Sequence, residues 1–183
     1  MARSLRAALR AHGASPEEQE EVLHAFKLAM GPRLVALQDD HHPAWLHPGR
    51  SPLILLHDLE RVDPAFLIVA ALHESLDGGL RVPLHDIEND VGPAAVQALE
   101  QIPMPGDEQL VERLLLLSPG LALAALAERL DQLRHLHLRD DLIDQWADTH
   151  AEVSAGWLPF AARIDGTLTR RYAHWVRTFA RRL

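Results

Sequence analysis

The sequence predicts an all-α fold, and three observations carry that expectation. Helix-starting punctuation recurs along the chain. Almost no segment alternates apolar and polar residues with the period of two that a half-buried strand needs. Apolar residues make up 48% of the chain, enough to fill a core. A length of 183 residues fits one domain, 1–183, and no repeat or long linker asks for a boundary.

Residues 1–45 read as N-terminal helices. In MARSLRAALRAHGASPEE the arginines fit the solvent face of a short helix, and no continuous apolar run of signal-peptide type is present. Ser15-Pro16-Glu17-Glu18 supplies a capping serine, a first-turn proline and a glutamate at the third helical position, predicting a helix to about Met30 that Gly31-Pro32 stops. Pro52 opens a helix to about Arg61. Asp63-Pro64 opens another, ending near Asp77 where Gly78-Gly79 release the backbone. Pro83, Gly92-Pro93 and Pro103-Met104-Pro105-Gly106 punctuate three shorter helices. Ser118-Pro119 starts a long one through Leu138, with Leu123, Leu126, Leu130 and Leu133 as its buried stripe. Asp141 to Ala155 and Thr167 to Leu183 complete the chain, separated by Gly156 to Gly166.

A formal charge of −8 argues against a general nucleic-acid binder, whose surface would be basic. With no cysteine, disulfides and thiolate metal sites are excluded, a reduced cytoplasmic setting is expected, and any metal must be held by histidines and carboxylates. The longest apolar stretch, LLLLSPGLALAAL, is broken by Ser118-Pro119-Gly120 and falls short of a membrane span.

Residues 53–77, LILLHDLERVDPAFLIVAALHESLD, hold two histidine-acid pairs in apolar surroundings. A divalent ion in a helical bundle draws ligands from several helices, and one dipeptide supplies at most two, so a working pair needs distant partners. His57-Asp58 is followed at once by Glu60 and Arg61, the pattern of a solvated helix end, and His57 reads as a surface or half-buried histidine. His73-Glu74 is expected at the C-terminal end of a strongly apolar helix, held rigidly yet near solvent, with Asp77 one turn on.

Several segments resemble, in order, the HD-type metal-dependent phosphohydrolase domain of RelA/SpoT proteins and the small alarmone hydrolases. Leu46-His47-Pro48 resembles that family's Thr-His-Pro element, and Val62-Asp63-Pro64 followed by Ala70-Ala71-Leu72-His73-Glu74 resembles its stretch ending in Leu-Leu-His-Asp. Ile87 to Val96 is similar to the Phe-Gly-x-x-Val segment, with Val91-Gly92 standing for Phe-Gly. Leu126-Ala127-Glu128-Arg129-Leu130 is similar to Leu-Ala-Asp-Arg-Leu, and Trp157 to Ile164 to Tyr-x-Pro-Leu-Ala-x-Arg-Leu. The resemblance implies an HD-domain helical bundle. It also implies removal of pyrophosphate or phosphate from a (p)ppGpp-like nucleotide or other phosphate ester by attack of water that a cation has activated.

The ligand set so implied is His47, His73, Glu74 and Glu128. Two imidazoles and two carboxylates suit Mn²⁺ and also accept Fe²⁺, Zn²⁺ or Mg²⁺. The resemblance assigns proton handling to Glu74 and Asp77 and substrate contact to Gln132. Arg50 and Arg129 are the nearest candidates for phosphate contacts, with surface ion pairing as the other reading. The chain departs from the family in three ways. Two aspartates are glutamates, 74 and 128, each carboxylate moving outward by about 1 Å. A Glu-Asp pair stands as Asp77-Gly78, and the basic segment before Thr-His-Pro is Gln38-Asp39-Asp40-His41-His42-Pro43-Ala44-Trp45. These changes keep open an alternative: a catalytically degenerate HD-type domain that binds a nucleotide, metal or protein partner without turnover.

The remaining features read as structural. Trp146, Trp157 and Trp175 are expected in the core, and His135, His137, His150 and His174 on polar faces. Arg170, Arg171, Arg177, Arg181 and Arg182 make the last helix basic: a solvated face, or a docking surface for an acidic partner. Oligomeric state is not legible.

Overall fold

Local capping starts the helices. The computed structural model describes residues 1–37, 39–60, 62–74 and 78–183, and among these it is all-α, without a strand. α1 (Ala2–Ala11) turns Leu5 and Leu9 inward. α2 (Pro16–Ala36) begins with the expected capping box, the Ser15 hydroxyl accepting from the Glu18 amide and the Glu18 carboxylate from the Ser15 amide. α3 (His47–Asp58) follows a series of turns, and α4 (Pro64–Leu72) is capped by Asp63. α5 (Leu84–Asp90), α6 (Pro93–Gln101) and α7 (Leu110–Leu115) are the short helices the prolines and glycines predict. Ser118 caps α8 (Pro119–His135), which tightens into a 3₁₀ turn over Leu136–Leu138.

Four boundaries differ from the sequence expectation. α2 does not stop before Gly31-Pro32 but carries Pro32 inside it. The next residue, Arg33, is buried and donates to the carbonyls of Ala29, Ala44 and Leu80 and to the Glu74 carboxylate. Those bonds hold the last turn against an interior proline's cost of about 3 kcal/mol. α3 opens at His47 rather than Pro52, because amides of residues 45, 47, 49 and 50 bond back to carbonyls of 42, 44 and 46 and lead the chain into the helix. α4 ends at Leu72, not near Asp77. His73 is extended (φ −73°, ψ 128°), while Arg33 and Gln132 take the Glu74 carboxylate and Arg81 donates to its carbonyl at 2.7 Å. The expected one-turn relation between His73 and Asp77 therefore does not hold on the His73 side, and Asp77 itself lies outside the described residues.

The fourth difference is at Gly156 to Gly166. The chain turns in 3₁₀ form over Asp140–Gln145, then runs without a break through α9 (Trp146–Glu152), a π-helical turn (Val153–Trp157) and α10 (Leu158–Ile164). The widened turn carries Gly156 and delivers Pro159 to the first turn of α10, where its missing N–H costs little. Asp165 then caps α11 (Gly166–Phe179).

α4 is apolar on every side from Leu67 to Leu72 and lies among α2, α3 and α8, which bury it. Gly120 allows the close approach: a Cβ there would stand about 2.0 Å from the Phe66 ring. α10 and α11 close the far side of α8 with Phe160, Leu168, Tyr172 and Trp175, the Tyr172 hydroxyl donating to the Leu126 carbonyl and Trp175 Nε1 to that of Leu133. Trp157 is also buried, and Trp146 packs edge-on against Phe179 at the margin. No helix among the described residues is long and apolar enough to cross a membrane. The first turn of α3, the end of α4 and the middle of α8 thus meet at one place.

Candidate metal centre

α8 presents Glu128, Asp131 and Gln132 on one face by the i, i+3, i+4 spacing, and all three are buried. Opposite them stand His47 from the first turn of α3 and His73 and Glu74 from the chain leaving α4, also buried. His47, Glu74 and Glu128 each bring a ligand atom within 4.8 Å of the others. Nε2 of His47 is 3.4 Å from Oε1 of Glu128 and 4.0 Å from Oε2 of Glu74. His73 reaches the cluster through Glu128, its Nδ1 3.4 Å from Oε2.

These separations suit ligands better than hydrogen-bond partners. Two donor atoms about 2.1 Å from one ion, at tetrahedral to octahedral angles, stand about 3.0–3.4 Å apart. Nε2 of His47 and Nδ1 of His73 are buried and have no hydrogen-bond partner among the described residues. Leaving such a group unsatisfied costs about 1–3 kcal/mol, so two at one point mark a place for a cation. The N₂O₂ donor set fits Mn²⁺, Fe²⁺ or Zn²⁺, and its oxygens accept Mg²⁺.

Supporting groups orient these atoms. Asp131 accepts from Nδ1 of His47 at 2.8 Å, which directs Nε2 into the cluster, the arrangement usual behind a metal-bound imidazole. Gln132 donates to both Glu74 (3.1 Å) and Glu128. Arg33 pairs with Glu74, and Arg50 donates to Asp131 at 2.9 and 3.0 Å. Three carboxylates thus face two guanidiniums, and the balance is restored by a proton on His47 or by a cation. Burial opposes charging His47, but Glu74, Asp131 and Glu128 outweigh it and raise its pKa to about 10. Burial likewise opposes the Glu128 anion, yet the two imidazoles hold its carboxyl far below the usual carboxylate range.

The residues named for substrate separate. Arg50 and Gln132 line a cavity of about 20 Å³ over His47, together with Glu74, His135 and Arg139. Arg129 is buried and turned elsewhere: it donates to Glu152 at 3.0 Å and lies 5.9 Å from the centre of the Trp157 ring. On the other side His73 and Glu74 line a larger cavity of about 270 Å³ whose walls include Arg81, Glu100 and Arg113. His57 is exposed, and Asp58 pairs with Arg171 of α11.

Two supporting residues escaped the sequence reading. Asp131 could have been found from the polar face that 128, 131 and 132 make on an otherwise leucine-rich helix. Arg33 gave no local signal, because Gly31-Pro32 just before it reads as a stop. No protein-family model matches this chain, and neither a curated protein nor a solved structure matches it.

Proposed function

We propose that this chain is a metal-dependent phosphohydrolase of HD type, acting on a nucleotide phosphate or pyrophosphate ester, with (p)ppGpp the first substrate to try. The observation that carries the reading is the pair of buried, unpartnered imidazole nitrogens of His47 and His73 beside Glu74 and Glu128. Those four residues hold the cation. When bound, it supplies Lewis acidity toward a phosphoryl oxygen and makes water a better nucleophile near neutral pH. Asp131 keeps His47 in the tautomer that offers Nε2, while Arg33 and Gln132 fix the Glu74 carboxylate. The cavity beside His73 admits the phosphate group, with Arg81 and Arg113 on its walls to offset phosphate charge. Asp77, three residues past Glu74, is the candidate base. The lack of cysteine favours a reducing, cytoplasmic setting.

A second reading is favoured by a specific observation: Glu74 and Glu128 already have partners in Arg33 and Gln132. Such a network suits a domain that binds metal or nucleotide without turnover. Protein purified without chelator is assayed for metal, then for phosphate release from (p)ppGpp and a nucleotide panel with Mn²⁺. Turnover that His73→Ala abolishes supports the hydrolase. Bound metal with no turnover supports the binding domain, and protein that retains no metal under any divalent ion defeats both.

A further inference from the structure

The metal centre leaves the arginines of the last helix unused. Arg170, Arg171 and His174 of α11, with Arg182 just beyond it, face Arg134 and His137 across a cavity of about 640 Å³. Leu130, Trp175 and Phe179 form its floor, the two aromatic rings stacked with centroids 4.6 Å apart. No carboxylate lines it, although the chain carries a net charge of −8. The nearest acids are committed: Asp58 to Arg171, and Asp165 to the amides of Thr167 and Leu168. Arg170 donates to the Thr167 hydroxyl at 2.9 Å. The side chains of Arg134 and Arg182 make no hydrogen bond or ion pair among the described residues, so like charges converge there without internal compensation.

We propose that this groove binds a phosphorylated small molecule of nucleotide size, at a site separate from the metal centre. Guanidinium matches phosphate in fork geometry, and threonine hydroxyls at 167 and 178 add donors. Arg170 and Arg182 are separated by about 18 Å along the helix axis, more than one phosphate bridges, so the ligand carries its charge on a chain of phosphates. The apolar floor accepts a flat ring beside that chain. The surrounding negative charge disfavours a long polyanion, which would have to run past it. Both faces of α8 are then used: Glu128, Asp131 and Gln132 toward the metal centre, Leu130 and Arg134 toward the groove.

Titration calorimetry of the full chain with tripolyphosphate and with ATP, both free of divalent ions, tests this. Both are expected to bind, ATP more tightly, with a change in tryptophan fluorescence. The double variant Arg134→Ala/Arg182→Ala, exposed positions whose loss leaves circular dichroism unchanged, lowers ATP affinity at least about tenfold. His73→Ala leaves it unchanged. No saturable binding of either probe overturns the proposal, as does binding indifferent to the double variant or lost with His73→Ala. An RNA oligonucleotide that displaces ATP at lower concentration than ATP itself overturns the small-molecule class.

Discussion

His57-Asp58 and His73-Glu74 are the same kind of dipeptide at comparable places, one finishing α3 and the other leaving α4, yet they have opposite environments. His57 is exposed, and Asp58 meets a single arginine of α11. His73 and Glu74 are buried against a helix that supplies Glu128, Asp131 and Gln132. Burial at the first pair pushes the Asp58 carboxyl up despite Arg171, whereas at the second the imidazoles hold Glu128 down. The dipeptide does not decide its chemistry; the helix that arrives opposite it does.

Substitutions sharpen that contrast. The largest effect is expected at the centre: His47→Ala or Glu128→Ala abolishes metal retention after gel filtration, measured by elemental analysis, while His57→Ala retains the metal content of the parent. Arg33→Ala comes next. It leaves the Glu74 carboxylate buried beside its remaining partners, at a cost of about 3–5 kcal/mol that urea unfolding reads directly. Asp131→Asn removes the acceptor that orients His47 and lowers metal affinity about 10–100-fold by competition titration.

The fourth expectation concerns pH. Without metal, His47 keeps its proton up to about pH 10, and a metal needs that nitrogen bare, so affinity rises about tenfold per pH unit between pH 6 and 9. A pH-independent affinity would mean that His47 is not a ligand. The smallest effect belongs to the other pair. A buried carboxyl whose folded pKa is raised opposes folding once it ionises, from its unfolded pKa upward. Asp58→Asn is therefore expected to raise the melting temperature slightly at pH 7; a large fall would show that the Asp58–Arg171 pair does more than this comparison assigns it.

What the sequence disclosed follows the range of each interaction. Ser15-Pro16, Asp63-Pro64 and Ser118-Pro119 are complete signals within four residues, and helices begin at all three. Pro32 and Pro52 read as boundaries and lie inside helices, because distant groups such as Ala44, Leu80 and Glu74 hold the backbone there. The end of α4 was misplaced for the same reason. For the site, the resemblance named His47, His73, Glu74 and Glu128, and folding gathers them. The groups that orient them were obscure: Arg33 meets Glu74 across 41 positions and Asp131 meets His47 across 84, separations over which periodicity carries no information.

The π-helical turn at Val153–Trp157 sets a phase for everything after it. Its closing bond runs from the Leu158 amide to the Val153 carbonyl, one residue wider than an ordinary helical turn. Deleting a single residue there would regularise the helix and rotate all that follows by about 100° about its axis. Phe160, Leu168, Tyr172 and Trp175 would then leave the core together, so a deletion that improves local geometry would cost the molecule its last two helices.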